Sequence, residues 1–228
     1  MKKFIKDYSI SQILNKIANP LIIVLGILLS FYLDNMVERN NKIEYKNFVI
    51  KNLKMILIED LSNIEKIKSL QNDCYIACET LINDIKDGNI DLSEKEIATN
   101  YLLISQNGWT SFFPQNSTYD ELISTGSMEI ISSVNFRKSL TNTYTHLYER
   151  NLQISRTIDD FFLMSNSKFG PHFVIEYGTK QDEGYIYDDL VPISYKIDED
   201  FYLSNTAISD LLQAKKLIGN YLNLLEEY

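Results

Sequence analysis

The stretch LIIVLGILLSFYL, residues 21–33, decides the fold class of this chain, because none of its side chains carries a charge. The uncharged run begins at Ile17 and ends before Asp34. At helical rise it is about 26 Å long, at the short end of what crosses the apolar core of a bilayer. A buried core helix is the alternative, but such a helix shows a polar face, and residues 21–29 show none. We therefore predict a transmembrane helix over residues 17–33.

The residues before this span predict an uncleaved signal anchor. Lys2 and Lys3 give the basic start of a signal peptide, but the apolar run lies far downstream of them. No small-residue cleavage site follows Leu33. Residues 1–16 are predicted to form an amphipathic juxtamembrane segment, which has apolar residues at helical spacing: Ile10, Ile13, Leu14 and Ile17.

The distribution of basic residues indicates an orientation. Lys2, Lys3, Lys6 and Lys16 precede the span, and Arg39, Lys42 and Lys46 follow it. This small excess favours a cytoplasmic N-terminus and a C-terminal domain outside the inner membrane, in a periplasm if the cell has two membranes. Gly26 and Ser30 form a small-xxx-small pair, a spacing that lets two spans pack closely and gives a weak indication of a homo-oligomer.

The amino-acid composition indicates what kind of protein the rest of the chain forms. Its 228 residues fit one domain plus an anchor, and the 45% apolar and 23% charged fractions are ordinary for a folded protein. A formal net charge of −9 argues against a nucleic-acid partner, which requires a basic face. We expect the membrane, and either a protein partner or a second copy, as the partners of this chain.

Residues 34–228 are predicted to form a helical domain that begins as one long helix. Neither glycine nor proline occurs between Asp34 and Gly88, so the helix is expected to reach about residue 87. Gln71 interrupts an otherwise apolar near-heptad stripe, which consists of Ile50, Leu53, Leu57, Leu61, Ile64, Ile67, Cys74, Cys78, Leu81 and Ile85.

Further helices are predicted from their end signals. Ser93 and Glu96 form a capping box, residues 107–115 a loop, and residues 119–125 a short helix that Gly126 ends. Asn135 is expected to cap a long helix to about residue 165, and Ser204 precedes the last helix. Long amphipathic helices bury their apolar faces against one another, so the predicted fold class is mainly α, an antiparallel helical bundle.

One segment, residues 170–203, lacks helical periodicity. It mixes tyrosines with acidic residues and is punctuated by Pro171, Gly178, Gly184 and Pro192. We expect an irregular acidic loop whose tyrosines cover the end of the bundle, and one short hairpin is compatible with this segment. A docking surface is the functional alternative. The spacing of an EF-hand calcium loop is absent.

Residues that could carry chemistry are few. Cys74 and Cys78 are four apart on a helix, which favours two core residues over a redox pair or half a metal site. His146 is expected to be a structural helix residue, and His172 has no second ligand near it in sequence. Motifs of metalloproteases, serine hydrolases and nucleotide-binding proteins are absent. The sequence therefore assigns no catalytic, cofactor-binding or metal-binding residue.

The most distinctive pattern spans residues 109–148. Its members are Phe113-Pro114, Tyr119, Leu122, Gly126, Ile130-Ile131, Phe136-Arg137, Leu140 and Tyr144. The pattern resembles a family of bacterial single-pass membrane proteins catalogued only as a domain of unknown function, and the similarity covers about residues 17–160. The resemblance implies an anchor followed by a helical domain and supplies no activity. On physical grounds Pro114, Tyr119, Gly126, Arg137 and Tyr144 are expected to form a structural helix-turn-helix corner.

Three functions follow, in order of preference. The first is a non-catalytic, membrane-anchored interaction or scaffold protein, with an exposed surface predicted at Trp109, Phe112, Phe113, Tyr185 and Tyr187. The second is a sensor-type domain that binds a small ligand between helices and signals through a partner, since only about sixteen residues precede the span. The third is a membrane-anchored enzyme, which a pocket containing His146 and carboxylates would favour.

Overall fold

The structure is a computed structural model that describes residues 10–87, 90–179 and 190–228. The described chain is mainly helical. Its longer elements are α1 (Ile10–Asp87), α2 (Glu94–Asn107), α3 (Ser117–Ser124), α4 (Val134–Thr141), α5 (Tyr148–Phe169) and α7 (Asn205–Leu225). The others are a 3-10 helix (Ser127–Ile130), a π-helix (Asn142–Leu147), strands β1 (Phe173–Thr179) and β2 (Leu190–Ile197), and α6 (Glu199–Tyr202).

The chain divides into two units, Met1–Asn52 and Leu53–Tyr228, and α1 contributes to both. In the first unit the large apolar side chains of residues 21–33 each expose half or more of their surface. A core helix would bury these side chains, so their exposure argues against that alternative. Within the described residues one helix, α1, is long and apolar enough to cross a membrane. Pro20 lies inside this helix.

The segment predicted over residues 1–16 is helical from Ile10 onward as part of α1. Residues 1–9 lie outside the described part of the chain.

In the second unit α1, α2, α5 and α7 form a four-helix bundle in which each helix runs antiparallel to its two neighbours. Contacts between neighbouring helices show the directions, because rising residue numbers on one helix meet falling numbers on the next. The defining pairs are Cys74–Leu103 and Gln71–Asn107 for α1 and α2, Tyr101–Phe169 and Gly108–Phe162 for α2 and α5, Lys168–Asp210 and Arg150–Glu227 for α5 and α7, and Glu79–Lys215 and Lys68–Glu226 for α7 and α1. The predicted antiparallel bundle is confirmed.

The seam that α1 buries in this bundle contains two polar residues. Asp60 is 5% exposed and Gln71 is 0% exposed. With their apolar neighbours they complete a regular heptad seam: Leu53, Asp60, Ile64, Ile67, Gln71, Cys74, Cys78, Leu81 and Ile85. The prediction was wrong for Ile50 and Leu61, which are 38% and 57% exposed. Leu61 lies beside this seam, and Ile50 belongs to the first unit and not to the bundle.

Side-chain caps fix several helix boundaries. Ser93 and Glu96 make the predicted capping box of α2, and Ser204 caps α7. The predicted cap of the long helix was wrong, because Ser133 and not Asn135 accepts from a backbone N–H, that of Phe136. This helix continues through α4, the π-helix and α5 as far as Phe169.

The segment predicted as irregular contains regular structure. Strands β1 and β2 pair antiparallel with a bulge beside Glu176 and Tyr177, and α6 follows. Tyr202 of α6 is 1% exposed, and its hydroxyl donates to Asp84 at 2.7 Å. A tyrosine of this segment therefore covers the bundle end as expected, while the hairpin replaces much of the predicted loop.

Both cysteines lie in the core as free thiols, each 0% exposed. Burial raises the pKa of the Cys78 thiol to about 12 and raises the pKa of Cys74 further, which suppresses the reactive thiolate. The expectation of two core residues is confirmed.

We predict that neither thiol reacts with Ellman's reagent at pH 8 in the folded protein, and that both react once urea unfolds the chain. The measurement is the absorbance of the released thiolate, with the unfolded protein as positive control. Rapid reaction of one equivalent in the folded state would contradict the core assignment.

Candidate interaction site at the loop between α2 and α3

The loop between α2 and α3, residues 108–116, lies at the end of the bundle where Asp60 and Gln71 are buried. It has no regular hydrogen-bonding pattern, so its buried backbone groups need side-chain partners. Gln71 supplies two bonds, because its amide Nε2 donates to the carbonyl oxygens of Asn107 at 3.2 Å and Thr110 at 2.8 Å. The polar interruption of the α1 seam thus holds the beginning of the loop.

The middle of the loop is held by the helices that face α1 and α2. The backbone N–H of Phe112 donates to the hydroxyl of Tyr221 on α7 at 2.6 Å. The carbonyl oxygen of Phe112 accepts from the amide of Asn151 on α5 at 2.6 Å. The Phe112 ring is 1% exposed and packs edge-on against Tyr228, with 5.2 Å between the ring centroids. Phe112 is therefore the residue that inserts the loop into the core.

Asp60 holds the end of the loop. Its carboxylate accepts from the backbone N–H of Gln115 at 3.2 Å and from the hydroxyl of Tyr144 at 3.4 Å. Burial raises the pKa of Asp60 above its ordinary value, while these two hydrogen bonds act in the opposite direction. The same surroundings and the Asp60 charge raise the pKa of Tyr144.

The predicted structural corner is assembled around this carboxylate. Tyr119 and Tyr144 are both buried, and their rings stack with centroids 5.2 Å apart. Pro114 is also buried. Tyr144 lies in the π-helix, whose wider turn shifts the helical register of α5 relative to that of α4. Sequence reasoning missed Asp60, although its heptad spacing to Leu53 and Ile67 was readable.

The other two corner residues shape the turn. Gly126 has φ +66°, a left-handed conformation that favours glycine, as expected for a tight turn after α3. The guanidinium of Arg137 donates to the backbone carbonyl oxygen of Ile131 and so ties α4 to the preceding 3-10 helix. Both roles are structural.

The outward face of the same loop is aromatic. Trp109 is 51% exposed and Phe113 is 62% exposed. The indole Nε1 of Trp109 donates to the carbonyl oxygen of Gln106 at 2.6 Å, and the hydroxyl of Tyr177 on β1 donates to the Gln106 side chain at 3.2 Å. Tyr177 is 41% exposed. We call Trp109, Phe113 and Tyr177 the aromatic surface.

The structure differs from the predicted exposed surface at two residues: Phe112 does not belong to it, and Tyr177 does. Phe112 was placed on the surface, but it lies in the core because its backbone is anchored there by Tyr221 and Asn151. Tyr177 was missed, since only the hairpin brings it to α2. Tyr185 and Tyr187 lie outside the described residues.

The histidines do not belong to this site. His146 is exposed in the π-helix and not packed as a structural residue, which corrects the expectation. His172 makes a 2.7 Å contact between Nδ1 and Asp198 and stacks on Phe201 at 3.9 Å. The bond to His172 lowers the pKa of the Asp198 carboxyl. In the described parts of the chain, no three potential metal ligands come together.

The fold and this site define a helical-bundle domain preceded by an apolar helix. Residues 19–179 match a family of unknown function, DUF6090, and because this is most of the chain, the protein belongs to that family. The match contains α2, α5 and the corner and ends before α7. The expected membership in a family of unknown function is confirmed. No curated protein and no solved structure matched the chain.

We predict opposite effects of two substitutions at Asp60. Asp60→Leu removes the acceptor of the Gln115 N–H and should lower the free energy of unfolding by about 1–3 kcal/mol. Asp60→Asn retains a side-chain oxygen that can accept from the Gln115 N–H, and it removes the buried negative charge. Because the folded pKa of Asp60 is raised, its contribution to stability falls as pH rises above about 4. The advantage of Asp60→Asn over the native protein should therefore grow between pH 4 and pH 7.

The measurement is urea unfolding of the full chain in detergent, at several pH values across this window. Glu65→Gln, a change of another exposed carboxylate on α1, is the matched control. An advantage that shrinks with rising pH would mean that the charged form of Asp60 is stabilised in the fold.

Proposed function

We propose that this protein is a non-catalytic, membrane-anchored interaction or scaffold protein. Residues 17–33 are the anchor, and the unit Leu53–Tyr228 binds a protein partner through the aromatic surface. The observation that carries the proposal is the division of the α2–α3 loop into two faces. Phe112 and its backbone bonds fix the loop in the core, and Trp109 and Phe113 are thereby held outward.

The anchor is supported by exposure and charge. Thirteen successive side chains without charge in residues 21–33 are exposed, and apolar surface of this extent is unfavourable in water and favourable in lipid. The lysine excess before the span supports a bacterial inner-membrane protein with a cytoplasmic N-terminus and a periplasmic C-terminal domain.

The composition of the aromatic surface supports a protein partner. Tryptophan and tyrosine dominate the energetic centres of interfaces, because each gives a large contact area for few frozen rotations. Charged residues are depleted there. No charged residue occurs from Ala98 to Tyr119, a segment that carries Trp109 and Phe113, although 23% of the chain is charged. This segment therefore has the chemistry of an interface core.

The hydrogen bonds to Gln106 also support the binding of a protein partner at the aromatic surface. An exposed tryptophan that is free to rotate loses conformational entropy when a partner binds. Here the indole N–H is already bonded to Gln106, and Tyr177 is bonded to the same residue. Two of the three aromatic side chains are thus held in place before binding, which reduces its entropic cost.

We predict that a photoreactive benzoylphenylalanine at position 109 or 113 forms an ultraviolet-dependent adduct with one other protein in cells. Position 164 is the matched control, because Met164 is 59% exposed on α5 and lies outside the aromatic surface. The readout is immunoblotting of a tagged full-length chain followed by mass spectrometry. The adduct should also disappear in a Tyr177→Ala background.

Two outcomes would overturn this proposal. Adducts with only a second copy of the chain would replace the hetero-partner by a homo-oligomer. Equal adducts at positions 164 and 109 would show that the aromatic surface is not a preferred contact.

The anchor has a separate test. We predict that the native chain stays in the pellet after alkaline carbonate extraction of membranes, and that protease added to spheroplasts digests residues 53–228. Leu28→Arg should weaken insertion by about 2.5–3.5 kcal/mol, because it places a charge in the span. Ser62→Arg, outside the span, is the control. Protection of the domain in spheroplasts would reverse the proposed orientation.

A further inference from the structure

A groove of about 510 Å³ runs along the surface between α1 and α7, and none of the residues that line it belongs to the aromatic surface. Two rows of α7 residues form one wall and part of the floor. The inner row, which borders α1, consists of Leu212, Lys215, Gly219 and Leu222. The outer row consists of Lys216, Asn220 and Asn223. Asn72 and Tyr75 of α1 complete the lining.

The depth of the groove depends on Gly219. Glycine inside a helix costs about 1 kcal/mol relative to alanine, so its presence in α7 needs a reason. A Cβ atom at this position would lie 3.3 Å from Cε2 of Tyr75. Gly219 therefore lets the tyrosine ring rest against the α7 backbone and leaves a trough where a side chain would stand.

The groove is basic within an acidic protein. Two lysines and no acidic residue line it, whereas the whole chain carries a formal charge of −9. The Lys215 ammonium lies 4.9 Å from the centre of the Tyr75 ring and donates to Glu79 at 2.6 Å. Lys216 is exposed and makes no ion pair within the described part of the chain. A lysine without a carboxylate partner at the rim attracts an anionic ligand.

The uncharged polar residues match a peptide backbone. Asn72, Asn220 and Asn223 are all exposed, and each amide offers both donors and an acceptor. Asn220 and Asn223 are one helical turn apart on the same face. From Leu212 to Asn223 the wall is about 16 Å long, the length of roughly five residues of extended chain. A groove of this length fits a strand-like ligand better than a single compact one.

We propose that this groove binds an extended acidic peptide segment of another protein. A carboxylate of the peptide pairs with Lys216, its backbone bonds to the asparagine amides, and an apolar side chain packs on Tyr75 in the trough above Gly219. The inference goes beyond the proposed function and does not depend on the aromatic surface, because the two sites share no residue.

The test uses the full chain in detergent and a fluorescein-labelled hexapeptide of alternating glutamate and leucine. Fluorescence anisotropy should rise with protein concentration, and the affinity should fall as salt is added. Lys216→Glu should weaken binding about tenfold, since it turns one attraction into a repulsion. Lys66→Glu, the same charge change at an exposed position of α1 outside the groove, should leave binding unchanged. A lysine–leucine hexapeptide should not bind.

Trp109→Ala separates this proposal from the proposed function, because it should abolish the contact at the aromatic surface and leave peptide binding intact. The proposal of an acidic peptide in this groove is overturned if the peptide does not bind, or if it binds Lys216→Glu as well as the native chain. It is also overturned if an oligogalacturonate, and not the peptide, binds in a Lys216-dependent way, which would assign the groove to anionic sugars.

Discussion

Buried backbone without regular structure is the constraint on which the second unit depends. The loop between α2 and α3 enters the end of a four-helix bundle, where water cannot satisfy its N–H and carbonyl groups. Each helix that surrounds the loop contributes a side chain in place of water: Asp60 and Gln71 from α1, Asn151 from α5 and Tyr221 from α7. This one requirement explains why these four polar side chains lie in the core at this end of the bundle. An unpaired backbone N–H would cost about 1–3 kcal/mol, which is a large part of the stability of a domain this size.

The same constraint links the core to the surface. A loop that is fixed at Asn107, Thr110, Phe112 and Gln115 has little freedom between these points. The residues that alternate with the fixed ones, Trp109 and Phe113, are therefore held outward. Exposed loops are usually mobile, whereas here the bundle sets the shape of the aromatic surface.

The elements of this fold were readable from the sequence, but their connections were not. Seam spacing, the capping box at Ser93 and the glycine at position 126 predicted helices and a turn, because these signals act within a few residues. Asp60 and Gln71 bond to backbone groups of a loop that is distant in the sequence. Every residue has such groups, so the sequence does not show which of them these side chains will meet. For the same reason the sequence does not show which of the two rings, Phe112 or Phe113, is buried. Phe112 is the buried one because its backbone groups bond to Tyr221 and Asn151. Tyr177 lies at the aromatic surface because β1 pairs with β2, and this pairing also joins residues that are distant in the sequence.

The bond between Phe112 and Tyr221 joins residues 109 positions apart. A growing chain makes α1, α2 and the corner long before it makes α7, so during synthesis the loop lacks the hydroxyl that satisfies its central N–H. Closing so long a separation is also slow, since the entropy of the intervening chain is lost before the contact is gained. The central N–H of the loop therefore gains its acceptor only after α7 has been made, whereas Gln106, the acceptor of the Trp109 indole, lies on α2 and is made earlier. A chain that ends before α7 thus lacks the bond that fixes the middle of the loop, and the aromatic surface takes its final form only when the fold is complete.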